Sequence, residues 1–260
     1  TSRWLRDSSV KMNIMKALRL IIAMFRKTKV RPGDGGNFEE LMWYFSESEK
    51  PVFFDVGANI GQSALEYKNK FPNSKVYCFE PFPSTFETLK INLKHLDEIQ
   101  FHPFGFGKNE GIIRAPEINN SSMNTLVNRN WKNDQNQHVD VTIQTIDRFL
   151  LGTKINKVDY LKIDTEGYEL DVLSGAKDAL SNGIFSFIEV EVGMNKTNSF
   201  HVPFEDIKKE LERFDYFIFK IQDQMHEWPT KRRMLRRCNL VFIHASIADM
   251  RRPSLESEKK

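Results

Sequence analysis

The sequence predicts an α/β fold, a mostly parallel doubly wound sheet with an antiparallel strand near its C-terminal end. Three observations predict it. Short apolar runs alternate with amphipathic stretches from Pro51 onward. The first run ends in an acid and a glycine-rich turn, VFFDVGANIG at 52–61. The last two runs, DYFIFKI at 215–221 and NLVFIH at 239–244, have no helical pattern between them. Strands joined without a crossover helix pair antiparallel, which places these two at the sheet edge.

The elements follow in order. Residues 1–50 read as a basic helical extension. Within it, Ile14, Leu18, Ile21, Ile22 and Phe25 share one side of residues 10–30, and Lys11, Lys16, Arg19, Arg26 and Lys27 the other. Such a stripe either packs on the domain or rests on an anionic membrane surface. The domain itself is expected at 51–246. After VFFDV (52–56), its strands are KVYCF (75–79), IQFHPF (99–104), VDYLKID (158–164) and FSFIEVEV (185–192). Helical periodicity falls near 60–70, 84–95, 168–180 and 204–213, and is clearest where Phe86, Leu89, Leu93 and Leu96 recur on one face. Residues 116–138, rich in Asn, Ser and Gln, read as one long surface loop. A long basic connection joins the last two strands, and 247–260 form a charged tail.

Composition narrows the class. Hydrophobic residues make up 40% and charged residues 28% of the 260, which is ordinary for a globular protein. No apolar run reaches the roughly 18–20 residues that span a bilayer. Two cysteines, Cys78 and Cys238, build neither a disulfide framework nor a cysteine metal cage, so a cytoplasmic setting fits. The net charge of +3 conceals an asymmetry: residues 1–31 hold nine Lys/Arg against one acid, and residues 229–260 nine against three. The ends suit either an acidic body beneath them or a polyanionic surface.

The turn at 52–61 carries the chemistry. Gly57 and Gly61 allow backbone to approach a ligand closely and adopt unusual dihedrals. The helix that follows presents free N–H groups, which favour a carboxylate, and Asp55 suits an ammonium. A nicotinamide fingerprint requires glycine two positions after Gly57, where this chain has Asn59. Glu80 ends the second strand in CFEPFP, placed to accept both hydroxyls of a ribose.

Taken together, DVGANIG (55–61), FEPFPSTFETLKINL (79–93), GFGKNEG (105–111), LKIDTEGYELDVLSGA (161–176) and FIEVEV (187–192) resemble the FkbM-type methyltransferases. Pro103 and Gly105 depart from that pattern. The resemblance implies a Rossmann-like class I methyltransferase fold, S-adenosylmethionine as cofactor, and O-methylation, chiefly in natural-product and glycan pathways. It implies Asp55, Gly57 and Glu80 as cofactor contacts, with Asn59 and Gly61 shaping the turn and 102–107 lining the adenine edge. Ser121 and Ser122 are expected to meet the substrate.

A neutral alcohol is a poor nucleophile and needs a base or a metal to release its proton. Asp164 and Glu166 at the end of the fourth strand, and Glu191 at the end of the fifth, are the expected catalytic carboxylates. Glu166 could instead cap the next helix, and Lys162 could pair with Glu189 across adjacent strands. The three carboxylates could gather a Mg²⁺, but no dense ligand motif demands one, and no metal ligand is assigned. His102, His138, His201 and His226 stand alone in sequence; His201 is the expected substrate contact. The acceptor is expected to be a small molecule or glycan. KRRMLRR (231–237) keeps an RNA ribose 2′-O-methyltransferase as the alternative, against the absence of a recognisable RNA-binding pattern. A membrane-associated module without catalysis is the third reading.

Overall fold

The computed structural model describes residues 41, 44–45, 50–117, 124–127 and 137–249. The chain divides into two units, 1–47 and 48–260. In the first, the described residues Leu41, Tyr44 and Phe45 are helical. The stripe at 10–30 and the tail after 249 lie outside the described residues, as do Ser121 and Ser122.

The second unit runs β1 (Val52–Val56), α1 (Gln62–Lys70), β2 (Lys75–Phe79), α2 (Pro83–Leu93), β3 (Ile99–His102), β4 (Gly105–Phe106), β5 (Gly111–Glu117) and β6 (Gln137–Gln144). It continues with α3 (Ile146–Leu151), β7 (Val158–Ile163), α4 (Glu169–Ser174), α5 (Lys177–Ser181), β8 (Phe185–Gly193), α6 (Phe204–Glu212), β9 (Tyr216–His226), β10 (Leu235–His244) and α7 (Ala245–Ala248). Seven strands form one sheet in the order β3-β2-β1-β7-β8-β10-β9. All its pairings are parallel except those of β10, which runs antiparallel to both neighbours. The predicted α/β class, with its antiparallel strand near the C-terminal end, is therefore the architecture observed.

The strands are apolar because both faces of the sheet are covered. Every residue of β8 is buried, and in β1 and β2 only the first is not. Continuous burial is what a parallel sheet between helices requires. Strand order reverses between β1 and β7, and a ligand crevice opens at such a point beyond the carboxyl ends of the strands.

Three expectations are corrected. The helix expected at 168–180 is two, α4 and α5, broken at Gly175. A Cβ there would stand 2.1 Å from the Gly107 carbonyl oxygen, so the main chain passes too close for a side chain. The long loop expected at 116–138 has strands at both ends. β5 and β6 join β4 in a second sheet, ordered β4-β6-β5, whose inner face carries Ala115, Val141 and Ile143 against Phe82. Glu117 ties this sheet to α2, its Oε1 accepting from the Ser84 amide at 2.8 Å and the Ser84 hydroxyl at 2.7 Å. The basic connection before β10 is largely strand, since β9 extends to His226 and β10 begins at Leu235. Among the described residues no helix is long and apolar enough to cross a membrane.

Candidate active site

One cavity lies beyond the carboxyl ends of β1, β2 and β7. The β1–α1 turn contributes Gly57, Ala58 and Asn59, and the first turn of α1 Gln62 and Ser63. Glu80, Pro81 and Phe82 follow from the end of β2, and Gly105 and Phe106 from β4. Lys162, Asp164, Thr165 and Glu166 form the wall at the end of β7, with Asn124, Thr125 and Leu126 beside them.

The turn is held by its neighbours on both sides. The Gly57 and Ala58 amides donate to the Phe79 carbonyl at 3.0 and 3.1 Å, and the Asp164 amide donates to the Val56 carbonyl at 3.0 Å. Gly57 has φ +81, and a Cβ there would lie 1.9 Å from the Asp164 carbonyl oxygen. The missing side chain thus makes room for the β7 loop, as well as bordering the cavity. Gly61, at φ +97, is not in the cavity lining; a Cβ there would stand 2.7 Å from Leu93 on α2. Gly57 therefore serves both the cavity and the packing of the β7 loop, and Gly61 the packing of α2.

Glu80 is oriented by main chain. Its Oε2 accepts from the Asn59 amide at 2.9 Å and its Oε1 from the Phe82 amide at 3.0 Å. Burial raises its carboxyl to about 7, opposed by those two bonds. An ionised carboxylate has about four acceptor positions, so two remain for hydroxyl donors. Asp55 is fully buried and outside the cavity lining, facing Cys78 and Lys162 in strand register. Burial raises it to about 6, partly offset by Lys162.

On the opposite wall, Lys162 Nζ donates to Asp164 Oδ2 at 2.7 Å. Burial opposes both charges, yet each sustains the other: Lys162 is held above its ordinary range and Asp164 below. The pairing expected between Lys162 and Glu189 is corrected here. The two are register partners, but Glu189 accepts from the Tyr160 hydroxyl and from Asn239 Nδ2, both at 2.6 Å. Burial raises Glu189.

Glu166 occupies a left-handed backbone position, φ +55, next to Gly167 at +104. A non-glycine residue there is strained, and such strain collects at functional sites. The capping role considered for Glu166 is not observed, since α4 starts after Tyr168 without a side-chain cap, and the turn before it is braced by Glu169. Its Oε1 accepts from the Thr165 amide, the Thr165 hydroxyl and the Gly167 amide, each at 3.0 Å. The Thr125 hydroxyl donates to the Glu166 carbonyl at 2.8 Å, joining the second sheet's loop to this turn. Burial raises the Glu166 carboxyl to about 7, with Asp164 adding to the effect.

Behind Glu166 stands His201, its Nε2 2.8 Å from Glu191 Oε2 and 3.7 Å from Glu166 Oε2. The Asn198 amide faces Nδ1, with Nδ2 at 2.9 Å and Oδ1 at 3.2 Å. Arg237 Nη1 pairs with the other oxygen of Glu191. Burial lowers His201, against the pull of Glu166. Neither His201 nor Glu191 lines the cavity. Gly57, Asn59, Glu80, Asp164 and Glu166 therefore share it, and Asp55, Gly61, Glu191 and His201 surround it.

The other histidines lie elsewhere. His102 stacks on Phe79, ring centroids 4.9 Å apart, within an aromatic core. His138 and His226 are exposed. Glu169, Asn198, Thr125 and Arg237 were not singled out as site residues from the sequence. Glu169 alone had a local signal, in the D-x-E-G-x-E block at 164–169. Within the basic segment, Arg236 pairs with Glu227 and lies over Trp228, so two of its arginines are engaged inside the domain.

The family described as the methyltransferase FkbM domain matches residues 55–218. Methyltransferase 1 of Beauveria bassiana is 29% identical over 143 residues, 48% of this chain and 57% of that protein. The hexuronic acid methyltransferase AglP of Haloferax volcanii is 29% identical over 150 residues, 56% of this chain and 59% of that protein. The 2-O-methyltransferase NoeI of Sinorhizobium fredii is 26% identical over 163 residues, 55% of this chain and 64% of that protein. The alignments thus take in less than two thirds of each relative's length.

Proposed function

The chain belongs to the FkbM methyltransferase domain family, and from that premise we propose that it transfers a methyl group from S-adenosylmethionine to a hydroxyl of a sugar or glycan. The observation that carries the reading is the cavity these residues share. One wall offers a main-chain-oriented carboxylate at Glu80, and the other offers carboxylates at Asp164 and Glu166. One relative is by name a hexuronic acid methyltransferase, which supports a sugar acceptor, and another a 2-O-methyltransferase, which supports transfer to oxygen.

The donor set fits the cofactor. Glu80 would take the ribose hydroxyls, Asn59 the turn beside them, and the first amides of α1 the methionine carboxylate. Gly105 and Phe106 would border the adenine. When bound, the cofactor supplies an electrophilic methyl on a sulfonium. The remaining work falls to the chain. The acceptor must be held in line with that methyl, and positioning provides much of the rate in such displacements. Its hydroxyl must also lose a proton, which we assign to Asp164. Lys162 fixes the direction of that carboxylate and keeps it anionic, at some loss of basicity.

Incubating the full chain with methyl-labelled S-adenosylmethionine and a panel of neutral and uronic glycans tests the reading. Label is expected on a hydroxyl oxygen of a glycan. Failure of S-adenosylmethionine to bind would refute the assignment. Binding followed by transfer to RNA ribose instead would move the acceptor class.

A further inference from the structure

The cluster of Glu166, Glu191 and His201 is more ordered than the proposed transfer needs. Two carboxylate oxygens and an imidazole nitrogen, from the β7–α4 turn, the end of β8 and the loop after it, lie within 4.8 Å of one another. The geometry points to a divalent-cation site formed by these three side chains at the acceptor wall of the cavity. It rests on the methyl-transfer reading for its role, since Glu166 lines that wall, but not for its existence.

The two separations from the imidazole suit one ion. Ligand atoms about 2.1 Å from a zinc-sized ion stand roughly 3–4 Å from each other. His201 Nε2 is 2.8 Å from the Glu191 oxygen and 3.7 Å from the Glu166 oxygen, so the first contact needs to open only slightly.

The surroundings are those of held ligands. A metal-bound imidazole uses its second nitrogen to donate to an orienting partner, and a ligating carboxylate is itself hydrogen-bonded. Asn198 presents both a donor and an acceptor to His201 Nδ1, and so supports the ring in either tautomer. With Nε2 protonated, the ring donates to Glu191; with Nε2 on an ion, Nδ1–H donates to Asn198 Oδ1. Asn198 is fixed in turn, its Oδ1 accepting from the Phe200 amide at 3.0 Å and its Nδ2 donating to the Arg236 carbonyl at 2.9 Å. Arg237 occupies the oxygen of Glu191 that faces away from His201.

The donor set also selects the ion. One imidazole with two carboxylates suits a first-row divalent ion of the Mn²⁺ or Zn²⁺ kind, whereas Mg²⁺ and Ca²⁺ prefer oxygen alone. This ligand set differs from the one considered from the sequence: Asp164 is bound to Lys162, and His201 takes its place. Three protein ligands leave coordination positions open, the arrangement of an ion that also binds substrate, and of the three Glu166 borders the cavity. An acceptor hydroxyl bound there would be acidified, the help that a carboxylate already paired with a lysine needs.

Titrating the metal-stripped full chain with Mn²⁺ alone, and reading the resonance signal of the free ion, tests the site without any turnover. One ion per chain is expected. Glu191→Gln, His201→Gln and Glu166→Gln should each weaken binding at least about 10-fold, and Asn198→Ala by about 10–100-fold. Affinity for S-adenosylhomocysteine serves as the fold control and should stay near that of the parent. Should Glu191→Gln or His201→Gln lose it, Glu166→Gln decides, because that substitution keeps the Glu166 carbonyl through which Thr125 ties the turn. Absence of Mn²⁺ binding in a parent chain that binds S-adenosylhomocysteine overturns the cation site and leaves the transfer reading standing. Mn²⁺ binding that is indifferent to all three ligand substitutions overturns it as well.

Discussion

The two walls of the cavity are built by different means. The wall proposed to hold the cofactor is a run of main chain: the Asn59 and Phe82 amides orient Glu80, and the Phe79 carbonyl holds Gly57 and Ala58. The wall proposed to meet the acceptor is a set of side chains orienting side chains. Lys162 directs Asp164, Arg237 from β10 holds Glu191, and Asn198 from a loop holds His201. Main-chain anchoring depends on local geometry and survives most side-chain changes. Side-chain anchoring depends on residues far apart in sequence, so the acceptor wall can be altered while the cofactor wall is kept.

The comparison is sharpened most by Asp164→Asn. Its methyl transfer should slow by roughly 10²–10⁴, the usual contribution of a general base. Asp55 and Glu189 remain beside Lys162 to offset its charge, so the fold should persist. Near-normal turnover at saturating acceptor would move the base to Glu166.

A smaller effect on a different quantity tests the cofactor wall's main chain. Gly57→Ala places a methyl group against the Asp164 carbonyl at a positive φ, and should cost at least about 2 kcal/mol of stability. Gly111→Ala, which meets nothing within 4 Å, should stay within about 0.5 kcal/mol of the parent. Chemical denaturation of the three proteins reads both; equal stabilities would mean that the turn is not wedged against β7.

The pH dependence is gentler. Glu80 lies at about 7 in the free chain, above its ordinary 4.5. Burying it neutral therefore favours the fold below about 4.5, and that contribution is lost as pH rises through 7. Ribose hydroxyls donate to the ionised form, so S-adenosylhomocysteine affinity should rise between pH 6 and 8. In Glu80→Gln that rise should be absent. A parallel rise in both proteins would assign the titration to another group.

How much could be read in advance follows the same division. The strands at 52–56 and 75–79, the turn between them and Glu80 lie within thirty residues, and their order alone specified a doubly wound sheet with Glu80 beside the turn. On the acceptor wall the sequence revealed residue types and strand ends but not partners. Asp164, Glu166 and Glu191 could be named, yet Lys162 bonds to Asp164 rather than Glu189 because Tyr160 and Asn239 occupy Glu189. Arg237 read as part of a basic run, since β10 pairs with β8 only once the sheet is assembled. The second sheet was hidden for a related reason: its strands β5 and β6 flank a stretch whose composition masks the alternation of Val139, Val141 and Ile143.

Calorimetric titration of S-adenosylhomocysteine into Glu80→Ala and Asp164→Asn, side by side, tests most directly whether the cavity has two separable walls. Glu80→Ala removes the two charge-assisted hydrogen bonds proposed to the ribose, worth about 1.5–3 kcal/mol each before water compensates, so its affinity should fall about 10-fold or more. Asp164→Asn should bind as the parent chain does. Equal losses in the two variants, or a loss confined to Asp164→Asn, would contradict the division of the cavity into a cofactor wall and an acceptor wall.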